Sequence, residues 1–351
     1  MKRHQKKRRR QSEKICFPIG ATARHGHVTL RRFKLGSLPL LNHFFQRLEL
    51  EDILKRYLPD DDVRQEIPTE RIVLLLVRNV LVSREPMYAV PEWAARYAPE
   101  LFDLFHVDMP RLHDDRLGKC LSRLYTATTP DLILAIVQQA INVFGVTLDE
   151  LHNDSTTVAF HGNYFKAADP QPLADRTRPA ITWGHSKDHR PDLKQLLLTL
   201  TVANDGGVPL YFTVDSGNTS DDTTHRATWD LLAELVGRSD FLYVADCKLA
   251  SRENLRHIAA RGGRFVTVLP RSRREDADFR GQLKDAADTL TWRVCWKRED
   301  DAQIMDGDQD RPPKIVDVIQ ACQQEQVTSD GFRLVWFRSR RKMQLDEAAR
   351  S

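Results

Sequence analysis

Apolar residues recur every three or four positions from Ser37 to about Gly145, the spacing of amphipathic helices. Leu41, Phe44, Phe45 and Leu48, followed by Ile53, Leu54 and Tyr57, predict short helices with a break near Glu49. The run ERIVLLLVRNVLV, Glu70 to Val82, predicts a buried helix that Ser83 and Pro86 stop, with another beginning toward Trp93. Thr129, Pro130 and Asp131 read as cap, first-turn proline and first-turn acid, and Gly145 closes that helix.

After Gly145 the pattern changes to β-branched and aromatic runs of strand length separated by turn residues. LHNDSTTVAF predicts a strand with Asp154 inside it. LLLTLTVAN and VPLYFTVDSG predict two strands joined through Asp205, Gly206 and Gly207 as a hairpin. A helix around Thr224 to Val236 leads to FLYVADC, a buried strand ending in Asp246. Then come a helix from Ser251 to Ala260, a Gly262-Gly263 stop and a strand, RFVTVL. Antiparallel strands that give way to strands alternating with helices place the chain in the α/β class with a mixed sheet. From Arg271 on, RSRREDADFRGQLKDAADTL reads as a charged helix or loop, TWRVCWKR as a strand, Asp300 to Pro313 as an acidic loop and DGFRLVWFRSR as a further strand, with a new helix beginning beyond it.

The composition, 29% charged and 41% hydrophobic over 351 residues, is that of an ordinary globular protein of about two domains. The longest uncharged apolar run, Ile72 to Val77, is too short to span a bilayer, and the basic start is not followed by the apolar stretch of a signal peptide. Five scattered cysteines without a CxxC pair argue against a zinc ribbon or a disulfide framework, so a reduced, cytoplasmic protein is expected, with no membrane partner. Charge changes the picture at one place. Lys2, Arg3, Lys6, Lys7, Arg8, Arg9 and Arg10 lie within the first ten residues, and without them the 53 basic residues fall below the 49 acidic ones. Such an arm suits a phosphate backbone, with a solubilising tail as the alternative.

Asp154 and Asp246 stand against their local pattern. The face His152, Asp154, Thr156, Val158 and Phe160 is expected to be buried at its far end, yet it carries a carboxylate; Asp246 follows an apolar strand, at the end where open α/β sheets place their sites. Two carboxylates on neighbouring strands suit a divalent cation, and a pair of metals about 3.5 to 4 Å apart would stabilise both oxygens of a phosphodiester under displacement. A turn or helix cap is the other reading of an aspartate at a strand end. No HExxH, Walker lysine loop, GxGxxG or GxSxG occurs; His185 and His189 share an i, i+4 spacing only in a stretch that Pro191 makes a poor helix, and His161 and His225 stand alone.

Four ordered segments carry a resemblance: Asn153-Asp154-Ser155-Thr156-Thr157, Trp183 to Gln195 (WGHSKDHRPDLKQ), Gly217-Asn218-Thr219-Ser220-Asp221 and Val244-Ala245-Asp246-Cys247-Lys248, with His113 to Gly118 (HDDRLG) upstream. Together they resemble the DDE-type insertion-sequence transposases of the IS-four superfamily, in its subgroup with a helical N-terminal domain, over nearly the whole chain from about residue 30. The resemblance implies an RNase H-like catalytic domain that cuts and joins DNA ends with Mg²⁺, or Mn²⁺ as substitute. It also implies a homodimer on the terminal inverted repeats of double-stranded DNA. Asp154 and Asp246 would be the first two catalytic, metal-holding carboxylates, and Lys187, His189, Arg190, Lys194, Lys248 and Arg252 would lie near the DNA path. The implied organisation is a basic arm over 1–35, a helical DNA-binding or dimerisation domain over 36–147, the catalytic core over 148–270 and part of a β-rich insertion over 271–351.

The third carboxylate of the family is a Glu in a Tyr-x2-Arg-x3-Glu-x6-Lys helix. Glu299, Glu325 and Glu347 all lack that neighbourhood and read as structural or exposed. The expectation is therefore a transposase truncated before its final catalytic helix and impaired in catalysis. The alternatives are an inactive DNA-binding or dimerising fragment that regulates transposition, and an RNase H-like nuclease unrelated to transposition.

Overall fold

The computed structural model describes residues 22–25, 28–61, 66–127, 130–173, 176–186, 189–220, 224–285, 289–299 and 315–349. They fall into two units, residues 1–219 and 220–351. The boundary lies inside the stretch expected as a catalytic core over 148–270.

The first unit begins with an antiparallel hairpin, β1 (Thr22–His25) and β2 (Val28–Arg31). The hairpin lies within the stretch expected as an arm over 1–35, where the β-branched Thr22, Val28 and Thr29 sit among the charges; residues 1–10, which hold the charge run, lie outside the described residues. Helices α1 (Leu38–Arg47) and α2 (Leu50–Tyr57) are separated at Glu49, whose φ of 51° is left-handed and breaks the helix where the periodicity breaks. Helix α3 (Thr69–Val82) starts where the Asp61 carboxylate accepts from both the N–H (2.9 Å) and the hydroxyl (2.5 Å) of Thr69, and it ends at Ser83. Helices α4 (Val90–Ala94), α5 (Asp114–Ala127) and α6 (Pro130–Phe144) follow, the last closed by Gly145 at φ 63°. Leu38, Ile72, Leu75, Trp93, Phe102 and Leu117 form their common core. Arg78 lies inside it, 2% exposed, stacked on Phe45, donating from Nε to Asn42 Oδ1 (2.8 Å) and from Nη2 to Asp103 Oδ2 (3.1 Å); burial lowers its pKa.

Strand β3 (Glu150–Phe160) comes next, then a small hairpin of β4 (Gln171–Leu173) and β5 (Arg176–Arg178), then β6 (Lys194–Ala203) and β7 (Pro209–Ser216). β3 and β7 flank β6, all antiparallel. The β6–β7 turn is the expected one: Gly206 and Gly207 have φ of 71° and 64°, a left-handed pair that matches strand twist.

The second unit runs from α7 (His225–Val236), ended by Gly237, into β8 (Leu242–Ala245), α8 (Arg252–Ala260) and β9 (Arg264–Val266), which pairs parallel with β8. Trp229, Phe241, Tyr243 and Ile258 are buried. Gly263 is required there, since a Cβ on it would stand 2.6 Å from both Trp229 and Ile258 side-chain atoms. The charged segment after Arg271 forms α9 (Arg274–Asp285). Strands β10 (Trp292–Glu299) and β11 (Ile315–Cys322) pair antiparallel; β11 is not among the strands expected from the sequence, and the acidic loop before it lies outside the described residues. The run DGFRLVWFRSR was expected as one strand and is two. β12 (Gln326–Val327) pairs with β13 (Arg333–Leu334), while β14 (Phe337–Ser339) joins β11. Trp336 divides them: its ring stacks on Phe279 (centroids 4.1 Å apart) and its carbonyl accepts from the Cys322 N–H (2.8 Å). Helix α10 (Arg340–Ala348) follows, without a buried residue.

The expectation of helices with a mixture of antiparallel and parallel strands holds. No helix among the described residues is long and apolar enough to cross a membrane.

Candidate functional site

Alternation along β3 sets where Asp154 goes. Leu151, Asn153 and Thr157 face inward, and Asn153 Nδ2 donates to Thr201 Oγ1 on β6 (2.8 Å). Asp154 is on the opposite, open face, with its Oδ1 accepting from the Ser155 N–H (2.8 Å). The expected burial of that face is therefore corrected: cross-strand hydrogen bonding lets the polar Asn153 face inward, and the carboxylate keeps its hydration. Its cross-strand neighbours are apolar and also open: Leu200 is opposite Asp154, with Phe212 beyond it, and they are 37% and 39% exposed.

The segments 183–195 and 217–221 meet through glycine. A Cβ on Gly184 would collide with the Gly217 carbonyl oxygen, and one on Gly217 would stand 2.6 Å from the Thr182 carbonyl oxygen. Gln195 ties the crossing together, its Nε2 donating to the carbonyls of Gly217 (2.9 Å) and His185 (3.3 Å), while its backbone exchanges two hydrogen bonds with Thr182. Local chain geometry had offered no sign that these separated motif positions pack backbone to backbone; the two glycines and the glutamine were the legible trace.

The cations expected near DNA differ in environment. His189 is exposed with a left-handed φ of 56°, and Lys187 lies outside the described residues. Arg190 forks onto Asp192 (2.8 and 2.6 Å), and that hydrogen bonding holds the Asp192 carboxyl down at about 2. The pair is complete above the usual carboxylate range and is lost as pH falls through that depressed value. Lys194 is buried: its Nζ donates to the Asn163 carbonyl (2.7 Å) and sits over the rings of Trp183 (4.8 Å) and Phe165 (5.5 Å). It anchors the loop before β6 instead of presenting its charge to solvent. Lys194→Met is accordingly expected to lower stability by about 1–2 kcal/mol in denaturant unfolding, through the lost hydrogen bond and cation–π contact, and to leave the salt dependence of DNA binding unchanged.

In the second unit Asp246 follows β8 and is exposed. Its Oδ1 accepts from the Lys248 N–H (2.9 Å), capping the short turn Cys247–Ala250, and its carbonyl accepts from Thr267 Oγ1 (2.5 Å). The cap reading is correct as far as it goes, although α8 itself is capped by Ser251, whose Oγ accepts from Asn254 N–H (3.2 Å). Lys248 is exposed. Arg252 is committed to Asp330 (3.4 Å) and Ser329 Oγ (3.2 Å). His113, Asp114 and Asp115 lie close together at the start of α5, exposed, with His113 Nδ1 accepting from Arg116 N–H (3.3 Å) and Asp114 Oδ1 from Asp115 N–H (3.0 Å). Those bonds account for them as helix-start residues.

Residues 31–138 match the family described as a domain of unknown function, DUF4277. No curated protein matches the chain. Among solved structures, the piggyBac transposase synaptic complex with hairpin DNA is similar at 11% identity and a TM-score of 0.34, over 86% of this chain and 59% of that one. The Mos1 transposase paired-end complex with the left transposon end is similar at 11% identity and a TM-score of 0.24, over 72% and 76%. The Mos1 mariner paired-end complex with Mn matches at 10% identity and a TM-score of 0.24, over 72% and 75%. The chain spans 59% of the length of the first of these proteins.

Proposed function

We propose that the chain is a DDE-type DNA transposase of RNase H-like fold that binds the ends of its insertion element as a homodimer and performs metal-dependent strand cleavage and transfer. The observation that carries this reading is the crossing of Gly184, Gln195 and Gly217, which joins two of the four motif segments beside the strand that bears Asp154. Asp154 and Asp246 each offer exposed carboxylate oxygens, the donor chemistry that a hard divalent cation such as Mg²⁺ or Mn²⁺ takes. When bound, the cation supplies Lewis-acid stabilisation of charge on the oxygens of a phosphodiester. The chain's own part is to hold the two carboxylates in place, Asp154 by β3–β6 pairing and Asp246 by the turn it caps. Lys248, Arg190 and His189 offer cationic or hydrogen-bonding contact to phosphates.

A second reading, a DNA-binding or dimerising protein that regulates transposition without cutting, is favoured by the third carboxylate. Glu299, Glu325 and Glu347 are all exposed, and none has the Tyr, Arg and Lys neighbourhood of the catalytic helix. The deciding experiment is to sequence the DNA on both sides of the coding region and incubate its inverted repeats with the protein and Mn²⁺. Cut ends support the transposase; retarded but intact DNA selects the second reading; no binding removes both.

The basic arm gives a separate expectation. Deleting residues 1–10 removes seven cations, and the slope of log K against log salt for duplex DNA is expected to flatten by as much as about six. An unchanged slope would make the arm a solubilising tail.

A further inference from the structure

Asp330 is a deeply held carboxylate in the second unit. Its side chain is 2% exposed, although it sits at the tip of the β12–β13 hairpin, and three guanidinium groups close on it: Arg256 Nη2 at 3.0 Å, Arg273 Nη2 at 3.1 Å and Arg252 Nε at 3.4 Å. Arg273 also pairs with Glu275 (2.9 Å), whose Oε1 accepts from the tip's Ser329 N–H (2.9 Å), and this bonding keeps Glu275 well below the usual carboxylate range. Three guanidinium groups therefore meet two carboxylates, and the cluster keeps a net positive charge.

The two sides of this cluster are unequal. Arg252 and Arg256 are 61% and 67% exposed, so solvent reaches the guanidinium groups from outside while the carboxylate is sealed from within. The open faces of these two guanidinium groups are where a competing anion can first make contact. The element that carries Asp330 is itself slight: β12 and β13 have two residues each and, among the described residues, pair only with one another, and a two-stranded hairpin is marginal alone. The Phe332–Phe265 ring contact (centroids 5.1 Å apart) adds a modest hold.

We propose that Arg252, Arg256 and Arg273 form a phosphate-binding site that the hairpin tip plugs with Asp330, and that a phosphate oxyanion displaces the tip. Guanidinium forks match the oxygens of phosphate as well as those of carboxylate, and the displaced Asp330 regains its hydration. The inference goes beyond the proposed function and does not depend on the metal reading, since none of these residues is a candidate metal ligand. The oxyanion has two possible sources, a nucleic-acid backbone and free phosphate, which share this chemistry.

The test uses the full chain in two measurements. Asp330→Asn keeps the turn and removes the charge, and it is expected to bind inorganic phosphate at least about tenfold more tightly by calorimetry than the parent does. In the unsubstituted chain, amide hydrogen exchange at Ser329 and its neighbours is expected to accelerate about tenfold on adding the displacing anion. Acceleration by duplex DNA identifies backbone phosphate as the occupant; acceleration by inorganic phosphate alone identifies the free ion. A folded Asp330→Asn protein with no gain in phosphate affinity overturns the proposal, as does exchange that neither anion changes. If Asp330→Asn does not fold, the exchange measurement on the parent decides alone. The Mn²⁺ and cleavage experiments read different residues, so failure there leaves this result standing.

Discussion

Asp154→Ala is expected to abolish the calorimetric Mn²⁺ signal and to cut DNA strand cleavage by at least about a thousandfold, because Lewis-acid stabilisation of the phosphodiester supplies several kcal/mol. The fold should be untouched. Asp154 stands on the open face of β3, where its Oδ1 accepts from the neighbouring N–H of Ser155. Asp246 needs a more careful substitution. Its carboxylate caps the Cys247–Ala250 turn through the Lys248 N–H, so alanine there costs about 1 kcal/mol for the cap alone. Asp246→Asn keeps an accepting oxygen at the cap and removes the charge that a cation needs, which separates metal binding from turn stability. Unchanged Mn²⁺ titrations in Asp154→Ala and Asp246→Asn would sink the assignment of both.

The second large effect is structural. Gly184→Ala and Gly217→Ala are each expected to destabilise the chain by about 3 kcal/mol or more, a fall of roughly 6–12 °C in Tm by circular dichroism. At both positions the added Cβ meets backbone carbonyl oxygen, which has no rotamer to move out of the way. Gly118 supplies the control. It lies in α5 with nothing within 4 Å of an added Cβ, so Gly118→Ala should gain up to about 1 kcal/mol of helix stability. If Gly184→Ala melts like the parent, the two motif segments do not cross as described, and the observation behind the proposed function goes with them.

Much of the element order could be read in the sequence because local rules acted alone there. The break at Glu49, the stop at Ser83, the proline start of α6 and the glycine pair between β6 and β7 each depend on a few adjacent residues. The failures share a different cause. The face of β3 was assigned to the wrong side because inward polarity depends on a partner 48 residues away, Thr201, which satisfies Asn153. DGFRLVWFRSR was read as continuous because nothing local says that Trp336 leaves the strand to stack on Phe279. Lys194 sits beside a recognised motif like its neighbours, yet Phe165, Trp183 and the Asn163 carbonyl claim it. The carboxylate that Arg252 meets comes from 78 positions further on, which no local pattern announces. The two aspartates were legible as an exception to pattern. Their environment was not, since alternation shows that a strand has two faces but not which of them water reaches.

The glycine turn between β6 and β7 also bears on the order of folding. These strands are joined by a few residues, so their pairing closes a short loop, a microsecond event for a hairpin. β3 must wait for the whole stretch between Phe160 and Lys194 to close before its register with β6 can form. That stretch contains Trp183, Gly184, His189 and Arg190. Two of the residues proposed to meet DNA, His189 and Arg190, are therefore carried on this slow-closing stretch, and Asp154 reaches its final place only once it is shut.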